Sequence, residues 1–192
     1  MNYESMKKIL AERLKESRYL HSVGVADTAV FLAKRFGVDE HKARIAGLLH
    51  DCAREFSNED LQAEADKRKI AYTAVEKNMP LLLHAYIGAR RIAELYEVND
   101  SEIAQAVYRH TVGGKNMTKL DKIIYFADMI EPNRDYPGVE HLRQLAKNAT
   151  LDQALLAGLS QSIMFIVKRG GLIHPNTVIA RNEILLKGNL NG

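Results

Sequence analysis

In the stretch GLLHDCARE, residues 47–55, an imidazole and a carboxylate stand side by side at His50 and Asp51, directly after Leu48 and Leu49. Polar groups in an apolar run cost free energy unless hydrogen bonds or a bound charge satisfy them. Of the seven histidines, His41 and His141 sit among charged residues and read as solvated, whereas His21, His50, His84 and His110 lie in helical segments with apolar neighbours. Any one of these four alone reads as a core histidine satisfied by a backbone carbonyl. Four of them, joined by Asp51 and by Asp128 among Phe126, Ala127, Met129 and Ile130, point to a polar cluster. His21, His50, Asp51 and Asp128 would supply two imidazoles and two carboxylates from three helices, a donor set suited to Fe, Mn or Mg and unlike a closed cysteine site for zinc. Neighbouring residues on a helix point about 100° apart, so His50 and Asp51 meet one ion only at a helix crossing. Asp121, two turns before Asp128 on nearly the same face, reads either as support for that ligand or, beside Lys119 and Lys122, as a solvated residue.

The elements that must carry these residues are helices. Apolar positions recur every three to four residues almost throughout and no segment alternates for long, which predicts an all-α chain forming a single compact helical domain over residues 1–192. Helices are expected at about 3–16, 18–36, 40–54, 58–69, 81–96, 101–110, 118–130, 138–147, 151–168 and 176–187. Gly37 suits a left-handed helix end, Ser57 with Asp60 resembles a capping box, and Pro132 ends the run through Ile130. The stripes Leu81, Leu82, Leu83, Ile87, Ile92, Leu95 and Leu155, Leu156, Leu159, Ile163, Ile166 are expected core. The 27 Lys and Arg are interleaved with 24 Asp and Glu, with no basic stripe or interleaved aromatics, so nothing calls for nucleic acid. The lone Cys52 excludes an internal disulfide and, with no leader-like or membrane-spanning apolar run, makes the cytoplasm the expected location.

The pattern of His21, then His50-Asp51, then a downstream Asp128 resembles the HD-domain superfamily of metal-dependent phosphohydrolases, whose fold is all-α. More closely, five blocks in order, RYLHSVGVADTA, GLLHDCARE, LLHAYIGA, RHTVGGKNMTKLDKIIYFADMIEPNR and RGGLIHPNT, are similar to the YqeK family, named for symmetrical hydrolysis of diadenosine tetraphosphate, over nearly the whole chain. The resemblance implies that His21, His50, Asp51 and Asp128 bind the metal, that iron comes first with Mn or Mg as alternatives, and that the product is a nucleoside diphosphate, ADP. One ion is favoured, with a second near His84 and His110 as the alternative. The implied substrate contacts are His21, Asp51, Cys52, Ala53, Arg54, His84, His110, Thr111, Asp128, Arg134 and the loop residues Gly171, Leu172, Ile173, His174, Pro175 and Asn176. Cys52 reads as packing rather than as a metal ligand.

His84 and His110 either share a second ion with the aspartate or contact phosphate. A donating imidazole with the Thr111 hydroxyl beside it favours phosphate, against a plain helix-end cap. Arg54 and Arg134 can fork onto phosphate oxygens. RGGLIHPNT, residues 169–177, combines the Gly170-Gly171 corner with His174 and Asn176 at a helix start, where free N–H groups favour anions; otherwise it is a helix–helix turn. The expected reaction is hydrolysis of a dinucleoside tetraphosphate to two nucleoside diphosphates by metal-assisted attack of water, without a protein nucleophile and with Asp51, His84 and His110 as catalytic groups. The alternatives are another HD phosphohydrolase acting on mononucleotides or cyclic nucleotides, and a nucleotide-sensing module with negligible turnover. The expected partner is a small dinucleoside polyphosphate, with neither nucleic acid nor membrane; a homodimer is left open.

Overall fold

The computed structural model describes residues 1–189; the last three residues of the domain expected over 1–192 lie outside the described residues. Among the described residues the chain forms α-helices and one 3-10 turn, with no strand. The order is α1 (Tyr3–Arg13), α2 (Glu16–Phe36), α3 (Glu40–Leu49), α4 (Asn58–Lys67), α5 (Ala74–Asn78), the 3-10 turn Pro80–Leu82, α6 (Leu83–Tyr96), α7 (Ser101–Arg109), α8 (Lys119–Ile130), α9 (Val139–Asn148), α10 (Leu151–Lys168) and α11 (Pro175–Asn189). Short polar side chains start most of them by accepting the otherwise unpaired first N–H groups: Asn2, Asp39, Ser57, Thr73, Asp100, Thr118 and Thr150. Gly37 closes α2 in the left-handed conformation at φ 66°, as its position suggested.

The helices depart from the apolar periodicity in two places that shape the polar cluster. The short α5 was not expected, because five residues are too few to show a helical period. And α3 stops at Leu49 instead of running to residue 54. Beyond it the chain tightens into successive turns, Cys52 N–H to Leu49 O at 3.1 Å and Arg54 N–H to Asp51 O at 2.9 Å. His50 and Asp51 therefore sit where a helix ends, with the His50 backbone still helical at φ −54° and ψ −39°.

The main core joins α2, α3, α7, α8 and α10, with Leu32, Leu48, Leu49, Ile123, Ile124 and Phe126 fully buried. Each such side chain contributes about 1.5–3 kcal/mol by leaving water. A smaller core under α4 and α6 contains Ala53, Leu61, Ala65, Leu83, Ala85, Tyr86 and Ile87. The α2–α3 crossing is unusually close: a Cβ on Gly47 would lie 2.8 Å from the Ala26 Cα, so only glycine admits the approach. That contact lies one turn before His50 on α3 and just beyond His21 on α2, and it brings the two imidazoles together.

Asp121 is not solvated, and its hydrogen bonds go to residues outside the polar cluster. It is fully buried, with Oδ2 accepting from Gln105 Nε2 and Arg109 Nη1 at 2.9 Å each and from Thr118 N–H in a reciprocal cap of α8. It pins α7 to α8, and so holds His110 and Asp128 in fixed relation.

Candidate active site

The four histidines of the cluster all have Nδ1 committed. His50 Nδ1 lies 2.7 Å from Gly47 O, His110 Nδ1 2.6 Å from Val107 O, and His84 Nδ1 bonds Leu81 O. A carbonyl can only accept, so in each ring Nδ1 carries the hydrogen. In His21 it donates to the Glu131 carboxylate at 3.0 Å. Nε2 of all four rings is left for a cation, whether a proton or a metal ion. The rings meet edge to face, with centroids of 5.1 Å for His21–His50, 4.8 Å for His50–His110 and 5.0 Å for His84–His110. His50 Nε2 is buried and has no hydrogen-bond partner. A bare lone pair at the centre of a polar cluster has no packing purpose and fits a metal ligand.

Asp51 divides this cluster in two. Its Oδ2 lies 3.7 Å from His50 Nε2 and 3.9 Å from His21 Nε2, while Oδ1 lies 3.0 Å from His84 Nε2 and 3.7 Å from His110 Nε2. Asp128, from α8, presents Oδ1 to His21 Nε2 at 2.9 Å and to His50 Nε2 at 3.7 Å. Three residue sets bring donor atoms within 4.8 Å of one another: His21, His50, Asp51; His50, His110, Asp128; and Asp51, His84, His110. This buried histidine and aspartate cluster suits a divalent ion. On the second side His84 and His110 face each other, Nε2 to Nε2 at 3.0 Å, so a proton or another cation must lie between them.

The surroundings set the charges. Burial lowers the His50 imidazole to about 4, which keeps it neutral and able to ligate at physiological pH. Burial opposes ionisation of Asp51, but His50 and then His110 and His84 hold its carboxyl well below the usual carboxylate range. Asp128 follows the same pattern: the His21 hydrogen bond, His50 and Arg134 outweigh burial. His21 is itself raised, because Asp128 and Glu131 outweigh burial.

Arg134 reaches back from the turn after α8, donating Nε–H to Asp128 O at 2.7 Å and Nη2–H to Asp128 Oδ1. Arg54 is half-buried, its guanidinium lowered by burial and by the like charges of Arg18 and Arg134 against the pull of Asp51 and Asp128. Thr111 Oγ1 lies 3.4 Å from His110 Nε2. The side chains of Cys52 and Ala53 are fully buried, and burial pushes the Cys52 thiol up to about 12, so any contact they make with a ligand comes from the backbone.

The 171–176 segment leads into α11, whose first turn is tied to the turn after His110. Thr177 Oγ1–H donates to Val112 O at 2.9 Å, two residues past His110, while Gly171, Leu172 and Pro175 are exposed, Ile173 is half-buried, and Pro175 and Asn176 already open α11. His174 is not free to meet a ligand with its ring. Nδ1 accepts from Asn176 N–H at 3.1 Å, and Nε2–H donates to Glu76 Oε1 at 2.9 Å. Glu76, from the unexpected α5, is buried and also accepts from Tyr86 OH at 2.8 Å and from Thr73 N–H at 2.9 Å. His174 thus anchors the loop.

Two residues at the site escaped the sequence reading. Glu131 is buried, with Oε1 on His21 and Oε2 accepting from Asn133 N–H at 2.8 Å and Asn133 Nδ2 at 3.0 Å. A Cβ on Gly24 would stand 2.5 Å from Glu131 Oε2, so that glycine leaves room for the carboxylate. Arg18 donates Nη1–H to Asp51 Oδ2 at 3.1 Å. The available signal for Arg18 was its place three residues before His21, on one helix face; for Glu131 it was an acid directly after the Asp128 helix.

A model of the HD domain matches residues 18–133, a span that holds every residue of the cluster, and the chain belongs to the HD domain family. Within that class it is similar over nearly its full length to proteins named "Bis(5'-nucleosyl)-tetraphosphatase, symmetrical". The one from Bacillus subtilis (strain 168) is 38% identical over 185 residues, 96% of this chain and 98% of that protein. The one from Staphylococcus aureus (strain NCTC 8325 / PS 47) is 32% identical over 191 residues, 95% of this chain and 94% of that protein. A solved structure of a predicted HD superfamily hydrolase involved in NAD metabolism from Clostridium acetobutylicum superposes with a TM-score of 0.92 at 37% identity, covering 97% of this chain and 98% of that one. Among the described residues no helix is long and apolar enough to cross a membrane.

Proposed function

We propose that this chain, acting as one domain, is a metal-dependent hydrolase that splits diadenosine tetraphosphate symmetrically into two molecules of ADP. The observation that carries the reading is the convergence of four Nε2 atoms and two ionised carboxylates, rimmed by arginines, in a chain similar end to end to symmetrical tetraphosphatases. His21, His50, Asp51 and Asp128 would hold one divalent ion, iron first and Mn or Mg after it, which when bound supplies Lewis acidity to a phosphoryl oxygen and an acidified water. The residues do the rest. Arg54 and Arg134 neutralise phosphate oxygens, and the 171–176 loop, anchored through His174, sets the distance between one nucleoside and the reacting phosphorus. Water oxygen bonds to the second phosphorus, and the bridging oxygen to the third departs with the other ADP. Asp51 or a neighbouring imidazole accepts the water proton, while His84 and His110, on the Oδ1 side of Asp51 with Thr111, donate to phosphoryl oxygens when Nε2 is protonated. No protein nucleophile takes part, and the buried Cys52 stays a thiol in the cytoplasm.

The substrate class is tested by offering the metal-loaded protein a panel of dinucleoside polyphosphates, mononucleotides and cyclic nucleotides and resolving the products. Preferential turnover of the tetraphosphate with ADP as sole product is expected. Preference for a mononucleotide or cyclic nucleotide would move the chain to another branch of HD phosphohydrolases, and saturable binding with no turnover would make it a sensor.

A further inference from the structure

We infer that Arg18 is a substrate-contacting residue for the departing half of the dinucleotide, the ADP that the 171–176 loop does not hold; this rests on the proposed tetraphosphatase function. Arg18 lies on α2 one turn before His21, and its guanidinium meets Asp51 on Oδ2, the oxygen that faces His21 and His50, rather than on Oδ1, which faces His84 and His110. Arg134 does the same to Asp128, meeting the Oδ1 that faces His21 and His50. Two guanidiniums therefore reach the same centre by different routes, one through each carboxylate. Arg134 enters from the turn after α8, Arg18 from α2.

The charge balance says what they are for. Glu131 is engaged by His21 and Asn133 and lends its charge to Arg134, whereas Arg18 faces Asp51 and Arg54 faces Asp51 and Asp128. A divalent ion on Asp51 and Asp128 consumes their charge, and Arg18 and Arg54 are left without an anion. Guanidiniums that converge on such a centre favour an anionic partner that can take a fork of hydrogen bonds. A tetraphosphate bridge, with about one negative charge per phosphate, supplies it across its whole length, whereas a single ADP is matched by Arg54, Arg134 and the loop alone. Arg18 is the remaining cation. Its side chain is also 37% exposed, against 5% for the Asp51 it touches, so it spans the distance from the buried centre to solvent. That is where a second nucleotide must enter and leave.

A different role would also explain the contact: Arg18 could merely hold Asp51 in place as a ligand. The two roles separate in Arg18→Ala and Arg18→Lys made in the full chain, with three readouts: bound metal by elemental analysis, ADP affinity by calorimetry, and steady-state hydrolysis of diadenosine tetraphosphate. The expected result for Arg18→Ala is unchanged metal content and ADP affinity with kcat/KM lower by roughly 10- to 100-fold, the worth of a charge-assisted hydrogen bond, and partial recovery in Arg18→Lys. Lost metal would make Arg18 a strut for Asp51; weakened ADP binding would put it on the retained half; unchanged turnover would take it off the substrate. Each of these overturns the inference. If the parent protein releases no ADP from the substrate, it is the tetraphosphatase function that falls, and the inference with it.

Discussion

At the scale of single residues, the centre depends on where its hydrogens lie rather than on the identity of the histidines. Sequence composition exposes four histidines in apolar surroundings, and all four are buried as expected. It does not show that each donates Nδ1–H away from the centre, because that depends on where a carbonyl or carboxylate ends up in space. His50→Ala and Asp51→Ala are expected to lose bound metal and turnover together while the helical signature in circular dichroism persists; full metal occupancy in either variant would remove it from the ligand set. Glu131 acts one step further out, fixing the ring of His21 through Nδ1. Glu131→Ala should weaken metal affinity about 10- to 100-fold, with Glu131→Gln closer to the parent because its amide oxygen still accepts that hydrogen. A chelator competition titration measures both. Arg134→Ala, by contrast, should keep its metal and lose ADP affinity, by about 1.5–3 kcal/mol in calorimetry. Arg18 and Glu131 were illegible because a charged residue beside other charged residues, or just past a helix, reads as solvated until the fold turns it inward. Asp121 misled for the complementary reason: its partners, Gln105 and Arg109, come from the preceding helix.

At the scale of elements, most helices were legible because their caps are local. Thr118, Asp39 and Thr150 bond N–H groups within three residues of themselves, and no tertiary information is needed to expect that. The end of α3 was not legible, since apolar spacing carries on into the tight turns after Leu49. Gly47 lets α3 lie against α2, and His50 and Asp51 follow at the end of that helix. Gly47→Ala would force the Ala26 backbone away and is expected to destabilise the fold by roughly 1–3 kcal/mol, measured by chemical denaturation. The loop anchor can be tested by pH. Burial would raise the Glu76 carboxyl, but hydrogen bonds from Thr73, Tyr86 and His174 bring it down to about 2 from 4.5. A group depressed on folding contributes stability above its unfolded value and loses it as pH falls toward the folded one. The stability gap between the parent and Glu76→Gln should therefore be largest at neutral pH and close between about pH 4.5 and 2. A gap that stays constant across that window would mean the carboxylate charge is not what holds the loop.

At the scale of the whole molecule, the chain gathers four buried imidazoles and the carboxylates of Asp51 and Asp128 into one cluster where a helical fold would otherwise place leucines. Such a cluster is costly unless something charged completes it, so the fold and the ion are coupled. At an ion concentration about 100-fold above its dissociation constant the coupling is worth about 2.7 kcal/mol, and its removal should lower Tm by roughly 5–10 °C for a chain of this size. Scanning calorimetry with and without a chelator reads that shift; coincident transitions would leave the cluster without a resident ion. The central claim, attack of water at the middle of a tetraphosphate bridge, is tested most directly by hydrolysing diadenosine tetraphosphate with the metal-loaded protein in oxygen-18 water and weighing the products. Attack there predicts ADP as the only nucleotide released, with a single heavy oxygen in half of it. Release of AMP together with ATP would place the attack at an outer phosphorus and contradict it.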